Sequence, residues 1–519
     1  MWARLFALSE VLPYLQVRAA NFNRDGPLKV TKVERGKAVP NMNLRYVVVS
    51  DLHLGAANSI LTCLTEDNRK TCPNTASDLL VQFAACLREV ARLSNDGQPP
   101  TLVLNGDILE LALAGTNEAA MTFRKFIEAL SVPGAGKDWP FGKKVYYLPG
   151  NHDHHLWNIA REKQYREFYV AKTEANQFLE PEFQTTNMFN DSRLNPIPCD
   201  FLNLAVKPLP CAAGIEFLTV YPNFGLLNDN KTRCVVFHHG HYIESIYSLM
   251  THLKKVFFPK ESNPRFLWDL EAENGAWIDF FWSALGRSGQ VGTDVELVYD
   301  TMQSNPAFHE FLDRLAKSLA PMAPPKKNWS AALWTPLLRK ALTHAFDAIT
   351  RREVHQTDSP LSEDAQTGLT QYLENYVLGE IMRIQRSVPQ DTTFVFGHTH
   401  KPFESTGSFK CYPKPVKLLN SGGWVVDTKD VSTRKGGAVI VVDEDLNVAS
   451  VRMYNEHEPQ QAASHVCVNA AGGQDNPLLG QLSGSINPLA GPWGKLSQLV
   501  EKELIAHRQN LEFHFLASD

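Results

Sequence analysis

Six short runs of β-branched and aromatic residues recur along the chain, and they limit the possible folds more than any other feature. The runs cover residues 46–49, 102–104, 145–148, 235–237, 394–396 and 416–419. Their length and composition are typical of buried strands. Between the first two runs, residues 77–93 place Leu79, Phe83 and Leu87 at helical spacing. This order of strand, helix and strand predicts an α/β sheet.

Residues 243–390 follow a different pattern, with few strand signals and several apolar residues at helical spacing. They predict a helical insertion. Further on, two strand-like runs at 438–442 and 448–453 flank a polar segment and predict a hairpin. We therefore divide the chain into a core in two parts, the insertion, and a tail made of a linker and an amphipathic helix. The four segments are residues 1–242, 243–390, 391–455 and 456–519.

Five of the predicted strands are followed by residue types that bind metal ions. In chain order these are Asp51 and His53; Asp107; Asn151, His152 and Asp153; His238, His239 and His241; and His398 and His400. Each group alone is weak evidence for a metal site, since Asp and Asn favour turns and a single histidine is more often a hydrogen-bonded polar residue than a metal ligand. Their joint occurrence is informative, because open α/β sheets gather functional loops at the carboxyl ends of their strands.

The residue types in these groups suit a pair of divalent cations. Two cations about 3.5 to 4 Å apart need a carboxylate that bridges them, with imidazole and oxygen ligands completing each shell. Mixed His and Asp ligands without thiolate favour Mn²⁺, Fe or Zn²⁺ over the all-oxygen shells of Ca²⁺ or Mg²⁺. The sequence therefore predicts a binuclear metal centre.

The five groups resemble the motifs of the calcineurin-like metallophosphoesterases: D-x-H, G-D, G-N-H-D/E, a histidine before glycine, and G-H-x-H. The resemblance covers residues from about 46 to 424. It implies a four-layer α/β/β/α sandwich in which the insertion caps the metal centre. It also implies a ligand set: Asp51, His53 and His400 for one metal, Asn151, His239 and His398 for the other, and Asp107 bridging both. His239 is preferred because the family's fourth ligand directly precedes glycine, while His238 and His241 stay as alternatives.

The same resemblance implies a mechanism. A hydroxide that bridges the two metals would attack phosphorus in line, without a covalent intermediate. His152 would stabilise the transition state and protonate the leaving oxygen, and imidazole titrates in a suitable range for this task. Asp153 is expected to orient His152. The predicted reaction is hydrolysis of a phosphodiester, a pyrophosphate or a phosphomonoester.

Within the family, the segments 50–54, 106–110, 397–402 and 420–424 are most similar to the branch that contains UDP-2,3-diacylglucosamine pyrophosphatase. That enzyme differs in having arginine where this chain has His152, and its cap is much shorter. Residues 106–112 lack the G-D-x-x-D-R-G motif of protein Ser/Thr phosphatases, and residues 110–113 lack the ligand tyrosine of purple acid phosphatases. A different cap predicts a different organic group on the substrate.

The charge balance bears on the partners. The net charge is −5, and residues 250–355 hold 13 Lys and Arg against 12 Asp and Glu, so neither the whole chain nor this part of the insertion has the basic surface typical of nucleic-acid binding. We therefore expect a phosphorylated small molecule or a lipid-linked substrate, with a nuclease or cyclic-nucleotide phosphodiesterase as the alternative. A non-catalytic scaffold with the same fold is disfavoured because all seven ligand positions are filled.

Cysteine usage and the N-terminal segment bear on location. The eight cysteines form no C-x-x-C pair and no dense framework, which favours a reducing cytoplasm. Residues 1–16 are apolar but contain Arg4 and Glu10, so we expect a helix that packs on the body or on a membrane surface, not a membrane span or a cleaved signal. The sequence allows peripheral membrane contact through this segment or the cap.

Overall fold

The computed structural model describes residues 43–131, 139–170, 186–189, 196–258, 260–283, 359–457 and 465–517. The helix expected over residues 1–16 and the middle of the insertion, residues 284–358, lie outside these ranges. Within them, no helix combines the length and the apolar character needed to cross a membrane.

Strands and helices alternate through the first part of the chain and again near its end. The strands are β1 (Leu44–Val49), β2 (Thr62–Leu64), β3 (Thr71–Ala76), β4 (Thr101–Asn105), β5 (Lys144–Leu148), β6 (Ile197–Pro198), β7 (Glu216–Thr219), β8 (Asn223–Leu227), β9 (Arg233–His238), β10 (Asp391–Phe396), β11 (Phe403–Gly407), β12 (Val416–Asn420), β13 (Gly436–Asp443), β14 (Val448–Asn455) and β15 (Cys467–Asn469). The α-helices are α1 (Asp78–Arg92), α2 (Thr116–Leu130), α3 (His155–Tyr165), α4 (Asp200–Val206), α5 (Leu249–Phe257), α6 (Leu267–Ile278), α7 (Glu363–Gln371), α8 (Leu378–Gln385), α9 (Pro477–Ser485) and α10 (Gly491–Ala517).

Two sheets form the centre of the molecule. The larger has the strand order β15-β14-β13-β1-β4-β5-β7-β6, and the smaller has the order β11-β12-β10-β9-β8. In the larger sheet β1, β4, β5 and β7 run parallel, and in the smaller sheet β9, β10 and β12 run parallel. The loops that follow the parallel strands of one sheet therefore gather at one edge of that sheet.

The alternation of side chains along the strands creates the layers. In β1, Val48 packs between the two sheets, whereas Val47 and Val49 face the helices on the outer side. In β10, Val395 likewise packs between the sheets and Phe394 faces the helices of the insertion. Since successive side chains of a strand point to opposite faces, both sheets are covered on both sides. This is the four-layer α/β/β/α arrangement that the family resemblance implies.

Helix α1 shows how local sequence sets an element of the outer layer. The Ser77 hydroxyl accepts the backbone N–H of Leu80 at 3.0 Å and caps the helix, and Asp78 lies in its first turn, where the helix dipole favours negative charge. The buried face of the helix packs on the larger sheet, with Phe83 against Trp424 at a ring distance of 4.3 Å. The predicted helix over residues 77–93 is confirmed.

The described parts of residues 243–390, which we call the cap, are helical and contain no strand. Leu369, Leu373 and Val377 are fully buried in the cluster that covers the outer face of the smaller sheet. The predicted hairpin is also confirmed, because β13 pairs antiparallel with β14.

The tail differs from the predicted linker. Strand β15 extends the larger sheet by pairing with β14, and Leu478 and Leu482 of α9 are buried in the main core. Helix α10 begins at Gly491, and Leu496 is buried as expected, whereas Ile505 is 53% exposed. For the described part of this stretch, residues 465–491, the prediction of a loose linker is wrong, because single apolar residues spaced among Gly, Asn and Gln anchor it without producing a periodic pattern.

Candidate metal centre

The loops that follow five parallel strands bring eight candidate residues together. Three overlapping groups have ligand atoms that lie within 4.8 Å of one another inside each group: Asp51, His53 and His400; His53, Asp107 and His152; and Asp107, His239 and His398. His53 and Asp107 each belong to two groups, so the three groups form one continuous cluster. Its donors are carboxylates and imidazoles, which suit a divalent transition-metal ion.

Five members of the cluster have left-handed backbone, which L-residues with a Cβ rarely adopt. Their φ angles are 51° at Asp51, 45° at His53, 50° at Asp107, 70° at His398 and 53° at His400. Such conformations persist only where the surrounding structure enforces them, and they cluster at functional sites. The backbone at these strand ends is therefore strained, and the strained residues are the candidate ligands themselves.

Two glycines allow the loops to approach the carboxylates. A Cβ atom at Gly150 would overlap Oδ1 of Asp107, and a Cβ atom at Gly397 would overlap Oδ2 of Asp51. Any larger residue at either position would push a buried carboxylate out of place. The glycines that precede Asn151 and His398 in the sequence motifs are thus required by contact distance.

Asp107 lies between the two halves of the cluster. Its Oδ2 atom is 3.0 Å from Nε2 of His239 and 3.8 Å from Nε2 of His53. Its Oδ1 atom accepts the backbone N–H of His152 at 2.8 Å. A carboxylate between imidazoles from opposite sheets has the position that a bridging ligand requires.

The remaining candidates surround Asp107 on two sides. On one side, Nε2 of His400 lies 3.6 Å from Oδ1 of Asp51 and 3.3 Å from Nε2 of His53. On the other, Oδ1 of Asn151 lies 2.9 Å from Nε2 of His239. The structure thus brings the seven residues of the predicted ligand set together.

At each candidate imidazole, the ring nitrogen that faces away from the cluster has a hydrogen-bonding partner. The pairs are His53 Nδ1 with Glu110 Oε2 at 2.9 Å, His400 Nδ1 with Asp427 Oδ2 at 2.9 Å, His398 Nε2 with Glu244 Oε2 at 3.1 Å, and His239 Nδ1 with the carbonyl of Asn105 at 3.4 Å. Histidines that bind metal almost always have such a partner, which fixes the tautomer and the ring orientation. The arrangement leaves one nitrogen of each ring for a metal ion.

Three of these partners were not singled out from the sequence. Glu110 lies three residues after Asp107, and this spacing was the one available signal. Glu244 belongs to the cap and Asp427 to the loop after β12, so their contacts depend on the tertiary fold. Lys435 also donates to Asp427, at 3.2 Å, and holds this carboxylate in place.

The two buried carboxylates of the cluster, Asp51 and Asp107, have pKa values that depend on the charges around them. Burial and the neighbouring Asp107 raise the pKa of Asp51 well above its ordinary value. Burial acts in the same direction at Asp107, but the imidazoles of His239, His152 and His53 outweigh it and lower the pKa of Asp107. Burial also lowers the pKa of His239 and His400, which favours the neutral imidazole that binds metal. A divalent cation beside Asp51 would supply the positive charge that favours its ionised form.

His152 lies at the edge of the cluster with its Nδ1 atom 3.0 Å from Oε1 of Glu110. Burial lowers the pKa of His152, but Glu110 and Asp107 outweigh this effect and raise it to about 9. These acidic neighbours therefore favour the protonated imidazole. The partner Glu110 has its pKa lowered to about 2 despite burial, since His152 and His53 stabilise its charge.

Asp153, expected to orient His152, makes its hydrogen bonds to the backbone. It accepts the N–H groups of Gly150 at 2.6 Å and Ile108 at 2.9 Å, and so ties the second and third motif loops together. The contact with the imidazole of His152 comes from Glu110 instead. A catalytic role for Asp153 stays a prediction.

The two alternatives to His239 have other surroundings. His238 and His241 are fully buried, and neither belongs to a metal-binding group among the residues described above. The His238 ring packs at 4.7 Å on Tyr372, and Nε2 of His241 lies 3.3 Å from the hydroxyl of Tyr221. The geometry favours His239.

Comparison with known families agrees with this geometry. The model of the calcineurin-like phosphoesterase family matches residues 44–280. The match contains the first four groups of candidate ligands and ends before His398 and His400, which the fold brings into the same cluster. No curated protein matched the chain.

The pairing of Glu110 with His152 can be tested without turnover. In metal-free Glu110→Gln, we expect the pKa of His152 to fall from about 9 toward the ordinary histidine value, because the anion that favours the imidazolium is lost. NMR titration of ¹³C-histidine-labelled protein measures this shift, with His152→Asn used to assign the signal. Glu118→Gln is the matched control, since Glu118 accepts the N–H of Gly115 at the start of α2. An unchanged His152 pKa in Glu110→Gln would contradict the pairing.

Proposed function

We propose that this chain, a metal-dependent phosphoric ester hydrolase with a calcineurin-like phosphoesterase domain at residues 44–280, works with two divalent cations. The proposed reaction is hydrolysis of a phosphodiester, a pyrophosphate or a phosphomonoester. The observation that carries the proposal is the position of Asp107, between imidazoles from both sheets whose outer nitrogens are all paired.

The chain's own residues define the two metal positions that we propose. Asp51, His53 and His400 would hold one cation, Asn151, His239 and His398 the other, and Asp107 both. Because Glu244 occupies Nε2 of His398, the remaining Nδ1 atom is the ligand. The donor set lacks thiolate and fits Mn²⁺, Fe or Zn²⁺. When bound, two such cations supply a hydroxide nucleophile near neutral pH and neutralise charge on the phosphoryl oxygens.

His152 is the proposed proton donor. Its Nδ1 atom is held by Glu110, so Nε2 is the atom that can deliver a proton to the leaving oxygen. The acidic neighbours that raise the pKa of His152 favour the protonated form that a general acid requires. Glu110 stabilises the imidazolium and fixes the direction of the ring, and Asp153 holds the loop on which His152 lies.

The position of the cap favours a substrate that carries an organic group next to the phosphate. Tyr247 of the cap packs its ring 5.0 Å from that of His398, and Trp282 packs 4.5 Å from Tyr247. Both side chains are buried, so they place the cap directly beside the metal cluster, where it would lie against a bound substrate. A phosphorylated small molecule or a lipid-linked substrate, as in the UDP-2,3-diacylglucosamine pyrophosphatase-like branch whose motifs the chain resembles, fits a site that is covered in this way. We propose a substrate of this class, and not the same lipid, because this chain has His152 where that branch has arginine.

A cytoplasmic location completes the proposal. All eight cysteines are unpaired, which fits a reducing compartment. Contact with a membrane surface through the cap would suit a lipid-linked substrate.

Loss of the bridging carboxylate should remove activity. In Asp107→Asn, we expect the rate of bis-p-nitrophenyl phosphate hydrolysis with Mn²⁺ to fall by more than about 100-fold. Mutating a residue that only orients a metal ligand already lowers metal affinity or activity by about 10 to 100-fold, and Asp107 is a candidate ligand itself. Asp200→Asn is the matched control, because Asp200 pairs with Lys163 at the surface. If Asp107→Asn and the wild type show no metal-dependent difference, the metal-dependent mechanism is refuted.

Loss of the proton donor should depend on the leaving group. In His152→Ala, we expect the metal content to stay intact and turnover to fall by about 10² to 10⁴-fold for alkoxide leaving groups, with a smaller loss for p-nitrophenolate, which leaves without a proton. A series of aryl and alkyl phosphodiesters, with metal content measured in parallel, provides the comparison. Equal losses across the series would argue against His152 as the acid.

A further inference from the structure

One carboxylate of the cap is buried beside the catalytic loops. Glu271 lies on α6, is 1% exposed, and accepts hydrogen bonds from three side chains of the surrounding structure. Its Oε1 atom pairs with Nε2 of His154 at 2.8 Å. Its Oε2 atom accepts the hydroxyl of Tyr221 at 3.0 Å and the hydroxyl of Tyr242. The carboxylate is thus completely enclosed by polar partners.

Two of these partners, His154 and Tyr242, belong to the segments that carry the candidate ligands, and Tyr242 is the third residue after His239. His154 is the third residue after Asn151 and the second after His152. The Tyr221 hydroxyl that donates to Glu271 also lies 3.3 Å from Nε2 of His241, two residues after His239. A single side chain of the cap therefore connects the loop after β5 with the loop after β9.

The cap holds the first of these loops at a second point. Nδ1 of His155 lies 3.0 Å from Oδ1 of Asp279, and the backbone N–H of His155 donates to the hydroxyl of Ser283 at 2.8 Å. Asp279 and Ser283 directly continue α6 in a π-helical turn. The segment from Asn151 to His155 is fixed by the sheet at one end and by the cap at the other.

The polar contacts are not needed simply to attach the cap. Leu267, Leu270 and Ile278 on the same helix are buried in the apolar cluster over the smaller sheet. Burial raises the pKa of Glu271, but the neighbouring His154 and the three hydrogen bonds outweigh it and lower the pKa overall, so the group is an anion. A buried anion is weak evidence for stability, whereas its directional bonds fix the geometry of the groups around it.

We propose that Glu271 is a positioning residue through which the cap fixes the loops that carry Asn151, His152 and His239. The cap then does more than shape the substrate pocket, because it completes the support of the metal centre. The catalytic consequence of this role rests on the proposed function, but its effect on metal binding does not.

Glu271→Gln tests the role against a matched control on the same helix. Glu273→Gln makes the same chemical change two residues further on. The Glu273 carboxylate accepts hydrogen bonds from Lys254 at 2.6 Å and Thr251 at 2.7 Å, both within the cap, so this change does not affect a contact with the catalytic loops. Calorimetric titration of the metal-free protein with Mn²⁺ should show about tenfold weaker binding in Glu271→Gln, comparable to the loss of a group that orients metal ligands, and unchanged binding in Glu273→Gln. Tyr221→Phe removes only one hydroxyl of the link and should weaken Mn²⁺ binding in the same direction.

Kinetics provide a second readout that general destabilisation would not reproduce. At saturating Mn²⁺, Glu271→Gln should lower kcat for alkyl diesters by about tenfold with little change in KM, whereas Glu273→Gln should leave kcat unchanged. Equal Mn²⁺ affinity in the Glu271 and Glu273 variants and in Tyr221→Phe would overturn the proposal, whether or not the chain hydrolyses phosphodiesters.

Discussion

The Asp107 carboxylate, buried among imidazoles from both sheets, is the interaction on which the rest of the structure depends. A second buried carboxylate, Asp51, belongs to the same cluster, and two such anions can stay ionised only if positive charge lies close to them. The fold meets this demand by ending parallel strands of two sheets at one place. This arrangement requires left-handed backbone at five of the candidate ligands, and it requires glycine at positions 150 and 397, where the loops approach the carboxylates closely.

Around this centre, the candidate imidazole ligands are in turn hydrogen-bonded to carboxylates further from the cluster. Glu110 supports both His53 and His152, so one side chain links a candidate metal ligand to the candidate proton donor. Asp427 and Glu244 support His400 and His398 in the same way. Glu244 and Glu271 belong to the cap, so the insertion contributes to the metal centre itself. In the proposed function, the cap would therefore bear on both substrate choice and metal binding.

The sequence was sufficient to predict a candidate ligand where a short apolar run ended in a metal-binding residue type, as at Asp51 and Asp107. A buried parallel strand is recognisable from its apolar composition, and the functional residue is recognisable from its position directly after the strand. It failed in the tail, where the three residues of β15 and the few apolar residues of α9 are too sparse to show a period. It also missed Glu244 and Asp427, since a carboxylate that pairs with a distant histidine carries no local pattern. Glu110 was within reach because it lies in the second motif.

The central claim is that Asp107 bridges two divalent cations. Anomalous scattering from crystals of the wild-type protein grown with Mn²⁺ tests it directly. We predict two peaks about 3.5 to 4 Å apart, one on each side of the Asp107 carboxylate, the first beside Asp51 and the second beside Asn151. A single peak, or two peaks of which neither contacts Asp107, would contradict the claim.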